Sequence, residues 1–330
     1  MALQLSAALA SNPRTWPIFE GTAKAEGIEF VPTALHPSEI FWRQLRFADF
    51  DISEMSMSSL MMLKASGNQD WVGIPVFTTR RFFHTVCWVR KAAGINSPAD
   101  LKGKRIGVPE YQQTAALWTR GAFEHEWGIA PSQVEFWMER VPTHSHAGAV
   151  AFKAPTGVTI NQIPPENSIG TMILSGELDV AICYNAKHTL VDRSVVELST
   201  HPDIKPMFPD PVAEGVRYLA RTGLFPINHG MVVRREIYEK HPWIALNILA
   251  AFDEANALAD RQRAEHLEYY VQTGRIPKEN VALVREPIVR HGVNANRKVL
   301  ETAAQYSLEQ GLTPRLMRME DLFAASTLGQ

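Results

Sequence analysis

Residues 3–9, LQLSAAL, run into ASNPRT at 10–15 and, after a helical stretch, into IEFVPTA at 28–34. In the first segment Leu3, Leu5 and Ala7 alternate with Gln4 and Ser6, the period of a strand rather than a helix. Asn12, Pro13 and Arg14 break the pattern, and the second apolar run opens about one helix length later. A strand, a helix and a second strand in that order read as a βαβ unit, which requires parallel strands with a crossover between them. The same alternation continues outward. A helix is expected over 37–46, a strand over 50–53, a helix from near Ser56, and strands over 74–77 and 84–89. The fold class is therefore α/β, with mainly parallel sheets covered by helices on both faces.

A second series begins near residue 90. KRIGV at 104–108 reads as a strand. Residues 112–127 read as a helix stopped by Gly128, a residue suited to the left-handed C-terminal position. VEFWMERV at 134–141 is a further strand, and 142–166, rich in Pro, Gly and His, is expected to be loop or irregular hairpin. A helix at 167–175 precedes the strand 180–183. Four prolines between 200 and 212 argue against any regular element there. Then come a helix at 211–222, a strand at 229–233 and a long helix at 242–264 that opens with Pro242. Breaks are expected at 274–277 and around Gly292.

Composition narrows the function classes. The 330 residues carry 33 Lys+Arg against 35 Asp+Glu, a formal charge of −2, with 45% hydrophobic and 21% charged residues. This length suggests about two domains. The balance is that of an ordinary globular chain, not a disordered or fibrous one, and it lacks the basic bias of a nucleic-acid binder. Cys87 and Cys183 stand in apolar runs without metal-ligand spacing and read as buried small hydrophobes. No apolar run is long enough to span a membrane. The N-terminal segment has no basic residue before its apolar stretch, so it reads as a core strand of a cytoplasmic protein rather than a signal peptide. No dinucleotide, Walker or serine-hydrolase motif occurs.

Several segments together resemble type 2 periplasmic-binding-protein-like domains: DISEMSMSSLM (51–61), DLKGKRIGV (100–108), SGELDVAIC (175–183) and FPINHGMVVRREI (225–237). The resemblance implies two α/β lobes with two mixed or parallel sheets, joined by two crossing strands, and a ligand cleft between them. Residues 1–83 and 230–330 would form one lobe and 84–229 the other, with the crossings at 84–89 and 229–233. Within that superfamily, TTRRFFHTVCWVR (78–90), VPEYQQTAALW (108–118), VPTHSHAG (141–148) and LFPINHG (224–230) resemble the 4,5-dihydroxyphthalate decarboxylase family. That family resemblance implies an aromatic carboxy-lyase, which removes one carboxyl group from 4,5-dihydroxyphthalate in phthalate catabolism and needs no organic cofactor. The rival class is a solute-binding protein for a small aromatic or carboxylate anion, on the same fold. A third is another enzyme on this lobe pair.

Ligands of open α/β sheets sit beyond the carboxyl ends of the strands. This rule selects the loops starting at Ser11, Ser53, Thr78, Pro109 and Tyr184. Asn12 and Arg14 follow the first strand near a helix start and are candidates to hold an anion. Arg80 or Arg81 would clamp a carboxylate bidentately. Adjacent side chains on an extended segment point opposite ways, so at most one of the two faces the cleft. His84 and His229, on the expected crossings, are the candidate acid/base pair, and Glu54 a candidate general acid if buried. Tyr111 and Thr114 at a helix start and Asn185 beyond a strand end are candidate substrate contacts. His144 and His146, alternating on an extended segment, would present both rings on one face to the catechol hydroxyls. The reading carries no metal; were a divalent metal present, His144, His146, His84 and His229 would be its ligands, with Glu54 an additional donor. Met55, Met57, Met61 and Met62 read as core or gap-filler, and Trp16, Phe19, Trp42 and Trp118 as cleft walls or core, with core favoured. The expected partner is a small aromatic dicarboxylate substrate, with no nucleic acid and no membrane, in a homo-oligomer.

Overall fold

Strands β1 (Leu3–Leu9) and β2 (Ile28–Ala34) pair in parallel from Leu3 against Ile28 to Leu9 against Ala34. The computed structural model describes residues 2–187, 189–282 and 286–330. The crossover between these strands is short, with α1 (Trp16–Phe19) a single turn held behind the 10–15 loop. Helix α2 (Pro37–Phe47) leads to β3 (Ile52–Ser56), which lies beside β1 and is buried along its whole length. Helix α3 (Met57–Ala65) and β4 (Trp71–Ile74) follow, and the chain leaves the sheet at Pro75. It returns much later as β11.

The second sheet is built from β5 (Cys87–Arg90), β6 (Arg105–Val108), β7 (Glu135–Met138), β8 (Thr159–Gln162), β9 (Val180–Ile182) and β10 (Ile204–Pro206). Its helices are α4 (Thr114–Trp127), α5 (Ile169–Ser175) and α6 (Pro211–Thr222). Strand β11 (His229–Arg234) then inserts antiparallel between β3 and β4 in the first sheet. The first sheet has the order β2-β1-β3-β11-β4 and the second β10-β5-β9-β6-β7-β8. Both are mixed: β6, β7, β8 and β9 run parallel, whereas β5 is antiparallel to both β9 and β10. This two-sheet arrangement is the type 2 periplasmic-binding-protein-like fold.

Three expectations change here. Residues 87–90 and 229–234 lie inside the two sheets, so they are not the crossings. The chain crosses through 75–86 and again before His229, and the two passages meet in an isolated antiparallel bridge between Arg80 and Ile227. A strand does form among the prolines: β10 is the edge of its sheet, where Pro206 loses no ladder bond. The 142–166 segment is neither all loop nor a hairpin, because β8 pairs with β7 in parallel.

Helix α7 (Arg235–Lys240) and the long α8 (Ile244–Gln272) cover the first sheet. Helix α8 buries Ile244, Ile248, Ala251, Phe252 and Ala255, spaced along one helical face. Helix α9 (Arg297–Glu309) crosses to α4 of the second sheet, and the chain ends with α10 (Met319–Leu322). At that crossing a Cβ on Gly121 would stand 2.1 Å from the Tyr306 ring, so only glycine permits the approach. Among the described residues no helix is long and apolar enough to cross a membrane.

Candidate active site

The carboxyl ends of β3, β6, β7 and β9 and the start of β11 open on one cleft of about 450 Å³ between the sheets. The chain crossings supply part of its wall through Thr79, Arg81 and Asn228.

Glu54 lies on β3 and His229 opens β11. The register sets Met231 against Glu54 and His229 against Ser56, so Glu54 and His229 are diagonal neighbours on one face. Both are buried, and His229 Nδ1 is 2.8 Å from Glu54 Oε2. A carboxylate accepts only, so Nδ1 donates to it. The Asn228 side-chain amide approaches Nε2 at 2.7 Å, and the Phe41 ring meets the imidazole edge-on at 4.7 Å. Glu54 Oε1 accepts from the Ala10 amide at 3.3 Å. Glu54 does not reach the cleft surface; its place is behind His229.

His146 lines the cleft together with His229 and His36, and is 2% exposed. Its Nδ1 is 3.1 Å from Glu110 Oε2, and its backbone N–H donates to Glu110 Oε1 at 2.7 Å. Burial pulls the His146 pKa below the usual histidine value, against the attraction of Glu110. Glu110 in turn accepts from Arg140 Nη1 at 3.1 Å. Arg140 also donates from Nε to Asp192 Oδ1 at 2.7 Å and from Nη2 to Ser38 Oγ at 2.7 Å. Burial works against the Arg140 charge, but Asp192 and Glu110 outweigh it and hold its pKa above the usual value. The Phe41 ring lies 6.0 Å from His146, so the two imidazoles flank one aromatic side chain. The cleft thus holds two histidine–carboxylate pairs, one from each sheet.

Of the other expected site residues, Arg81, Thr114 and Asn185 line the cleft. Arg81 is exposed and makes no ion pair among the described residues. Thr114 Oγ1 joins Ser56 Oγ at 2.8 Å and accepts from the Ser58 amide at 2.9 Å, which brings the starts of α3 and α4 together. Asn185 caps its own loop by accepting from the Lys187 amide at 3.1 Å.

Five expectations fail on placement. Arg80 turns away from the cleft, donating to the Phe225 and Arg290 carbonyls and to Asn296, as the opposite pointing of adjacent side chains allows. Asn12 and Arg14 stay in their own corner: Asn12 Oδ1 accepts from the Arg14 amide at 3.0 Å, and Arg14 Nε donates to the Thr78 carbonyl at 2.9 Å. Tyr111 is a core residue with its ring under the Arg120 guanidinium. His144 and His146 sit in consecutive turns, not on a strand, so His144 faces Trp42 at 5.5 Å on the outside while His146 points in. His84 lies in a 3₁₀ turn facing α6, with Nε2 3.2 Å from Glu214 Oε1 and its ring against Tyr218. His84 and His144 are thereby removed from the metal grouping with His146 and His229; among the described residues no three His, Cys, Asp or Glu side chains converge as a metal site requires. Two smaller readings also change: Cys183 is only half-buried and lines the cleft, and Trp16 is exposed.

Burial drives His84 down to about 4, despite the raising effect of Glu214. The unfolded chain binds that proton from about pH 6.5 downward, whereas the folded chain refuses it until about 4. Stability therefore rests fully in place above 6.5 and is lost as pH falls toward 4, by about 3 kcal/mol for this group. The variant H84Q is expected to flatten that part of the acid limb in urea unfolding at a series of pH values. An unchanged slope would show that His84 is protonated in the fold.

The sequence reading did not select Glu110, Arg140, Asp192, Asn228, Ser38 or Phe41. One of these carried a usable signal: Glu110 stands two residues past the end of β6, in the loop from Pro109 that the strand-end rule selects, whereas Arg140 falls inside the strand expected over 134–141.

No family model matches the chain. A 4,5-dihydroxyphthalate decarboxylase of Comamonas testosteroni is 33% identical over 329 residues, covering 99% of this chain and 98% of that protein. A protein of the same name from Pseudomonas putida is 35% identical over 209 residues, covering 63% of this chain and 78% of its own. Among solved structures, the periplasmic aliphatic sulphonate binding protein SsuA of Escherichia coli superposes with a TM-score of 0.56 at 16% identity, over 98% of this chain and 92% of that one. The alkanesulfonate-binding protein SsuA of Xanthomonas axonopodis pv. citri gives 0.53 at 13% identity, over 98% and 97%. The solved structures agree with the fold, and the near full-length sequence match goes further: the chain belongs to the 4,5-dihydroxyphthalate decarboxylase family.

Proposed function

We propose that the cleft decarboxylates 4,5-dihydroxyphthalate to 3,4-dihydroxybenzoate and carbon dioxide by acid/base chemistry, without an organic cofactor, as a step of phthalate breakdown. The observation that carries this is the pair of buried histidine–carboxylate couples, Glu54–His229 and Glu110–His146, on either side of Phe41 in one cleft, with Arg81, which has no ion pair among the described residues, in the same lining. The substrate needs two proton transfers at well-separated atoms. Each of its carboxyl groups has a hydroxyl para to it. Removing that phenolic proton pushes electron density to the ring carbon bearing the leaving carboxylate, which must then accept a proton.

His229 suits the first transfer. Its Nδ1–H is fixed by Glu54, its Nε2 takes the phenolic proton in exchange for the Asn228 amide contact, and Glu54 stabilises the imidazolium that forms. His146 suits the second in its protonated form: burial lowers its pKa, Glu110 opposes that shift and holds the imidazolium, and after giving its proton to the ring carbon His146 takes another from solvent before the next turnover. Once the carbon is protonated, the bond to the carboxylate breaks. Carbon dioxide leaves, the bonding pair returns to the ring, and His229 gives its proton back to the phenolate. Arg81 holds the carboxylate that stays, with charge-assisted bonds worth about 1.5–3 kcal/mol. Closure of the lobes around the ligand would exclude water and strengthen each of these interactions.

The test is release of carbon dioxide and 3,4-dihydroxybenzoate from 4,5-dihydroxyphthalate, with and without prior chelator treatment. Equal product in both samples is expected. In R81M the KM should rise about tenfold or more with kcat nearly kept, since a clamp on a spectator carboxylate contributes mainly to binding. Substrate returned unchanged by the wild type would leave a binding protein and sink the carboxy-lyase reading.

A further inference from the structure

Arg120 is a charged side chain in the core, 2% exposed, and no carboxylate lies within ion-pair distance among the described residues. Its bonds go to neutral acceptors: Nε donates to Gln310 Oε1 at 2.8 Å and Nη1 to the Tyr111 carbonyl at 2.6 Å. The guanidinium lies 3.6 Å from the centre of the Tyr111 ring. Nη2 has no partner. Gln310 is itself fixed, because its amide donates to the Leu117 carbonyl at 3.0 Å. A buried charge without a counter-ion is costly, and the surroundings here supply dipoles and a ring face rather than a negative charge.

The place of this charge gives it a use. Arg120 belongs to α4, but its guanidinium reaches back to residue 111, which precedes the helix. The positive charge therefore stands level with the N-terminus of α4, and adds to the partial positive charge that the helix dipole places there. That N-terminus is cleft wall: Gln113, Thr114 and Ala115 line it, as does Cys183, which is close enough to feel the Arg120 charge.

We propose that Arg120 is a specificity residue of the cleft, an uncompensated buried cation whose field favours a doubly charged aromatic acid over a singly charged one. This rests on the cleft being the substrate site, as read above. Two unit charges about 10 Å apart at an effective dielectric of about 20 attract by about tenfold in affinity, the scale expected per ligand charge. A dianion then gains about tenfold over a monoanion from this one residue. The same arrangement favours the dicarboxylate substrate over the monocarboxylate product and so assists product release.

Titration calorimetry on the full chain, with phthalate as dianion and benzoate as monoanion, reads this directly. R120M is expected to lose about tenfold more affinity for phthalate than for benzoate, and to do so at low and at raised salt, because a buried charge is little screened. A packing defect would weaken both ligands alike, so equal losses, or none, overturn the proposal. Where R120M does not fold, R120K measured just below neutral pH keeps a cation at the site and should keep the phthalate preference within about threefold of wild type. Loss of that preference in a folded R120K also overturns it. Binding is read without turnover: wild type that prefers phthalate yet releases no carbon dioxide leaves the selectivity standing and sinks only the carboxy-lyase reading.

Discussion

Replacing His229 with asparagine is expected to lower kcat by about 10³-fold with little change in KM, the size of effect typical of a lost general base. Asparagine fills similar space and can still bond Glu54, so the strand pairing of β11 should survive. What disappears is the ring nitrogen Nε2, which the Glu54 contact leaves unused and which stands beside the Asn228 amide. E54Q should cost about 10²-fold, because an amide can accept from Nδ1–H but does not stabilise the imidazolium. H84Q, whose parent histidine faces α6 outside the cleft, should keep nearly full activity. Steady-state kinetics on the three variants, with circular dichroism to confirm folding, checks this. An H229N enzyme that retains more than about a tenth of wild-type kcat would move the base elsewhere.

That contrast between two histidines marks where the sequence stops being informative. The strands 3–9 and 28–34 and the helix 112–127 are set by local pattern, and they stand where the pattern puts them to within two residues. His84 and His229 look alike on that level, as single histidines beside apolar runs. They differ only in what the folded chain sets opposite them: α6 carries Glu214 to His84, and β3 carries Glu54 to His229. A pairing over 175 residues of chain leaves no periodicity to read. The misplaced His144–Ser145–His146 segment shows the converse. Alternation is meaningful only on an extended backbone, and here the backbone turns, which sends the two rings to different environments. The strand-end rule identifies the right loops for β3, β6 and β9, but not which residue of each faces the ligand, because that depends on the first backbone angles beyond the strand. On β6 it pointed to Tyr111 and Thr114, although Glu110, one residue earlier, carries the charge that holds His146. Cys183, with φ of 55°, shows how sharply the chain can turn at such an end.

Arg140 is where stability and activity are expected to separate. R140M should destabilise the fold by about 3–5 kcal/mol, since it leaves Glu110 and Asp192 buried and unneutralised. The mechanism is the stranded carboxylates and not the lost bonds themselves. The triple variant E110Q/R140M/D192N, which removes the whole charge cluster, should therefore recover most of that loss. Activity should not follow. His146 would still lack the carboxylate that holds its Nδ1 and backbone N–H, and Ser38 at the start of α2 would lose its bond to Arg140. Urea unfolding together with decarboxylation rates distinguishes the outcomes. A triple variant that regains both stability and turnover would make the cluster a structural device and remove His146 from the chemistry. Stability regained with turnover still depressed about 10²-fold would place Glu110 in the service of the reaction, in line with the cost of losing an orienting partner. The same result would account for a buried ion cluster that an apolar core could replace at no loss of stability: it is kept because the cleft needs a histidine held by a charge on the second sheet, facing the one held by Glu54 on the first.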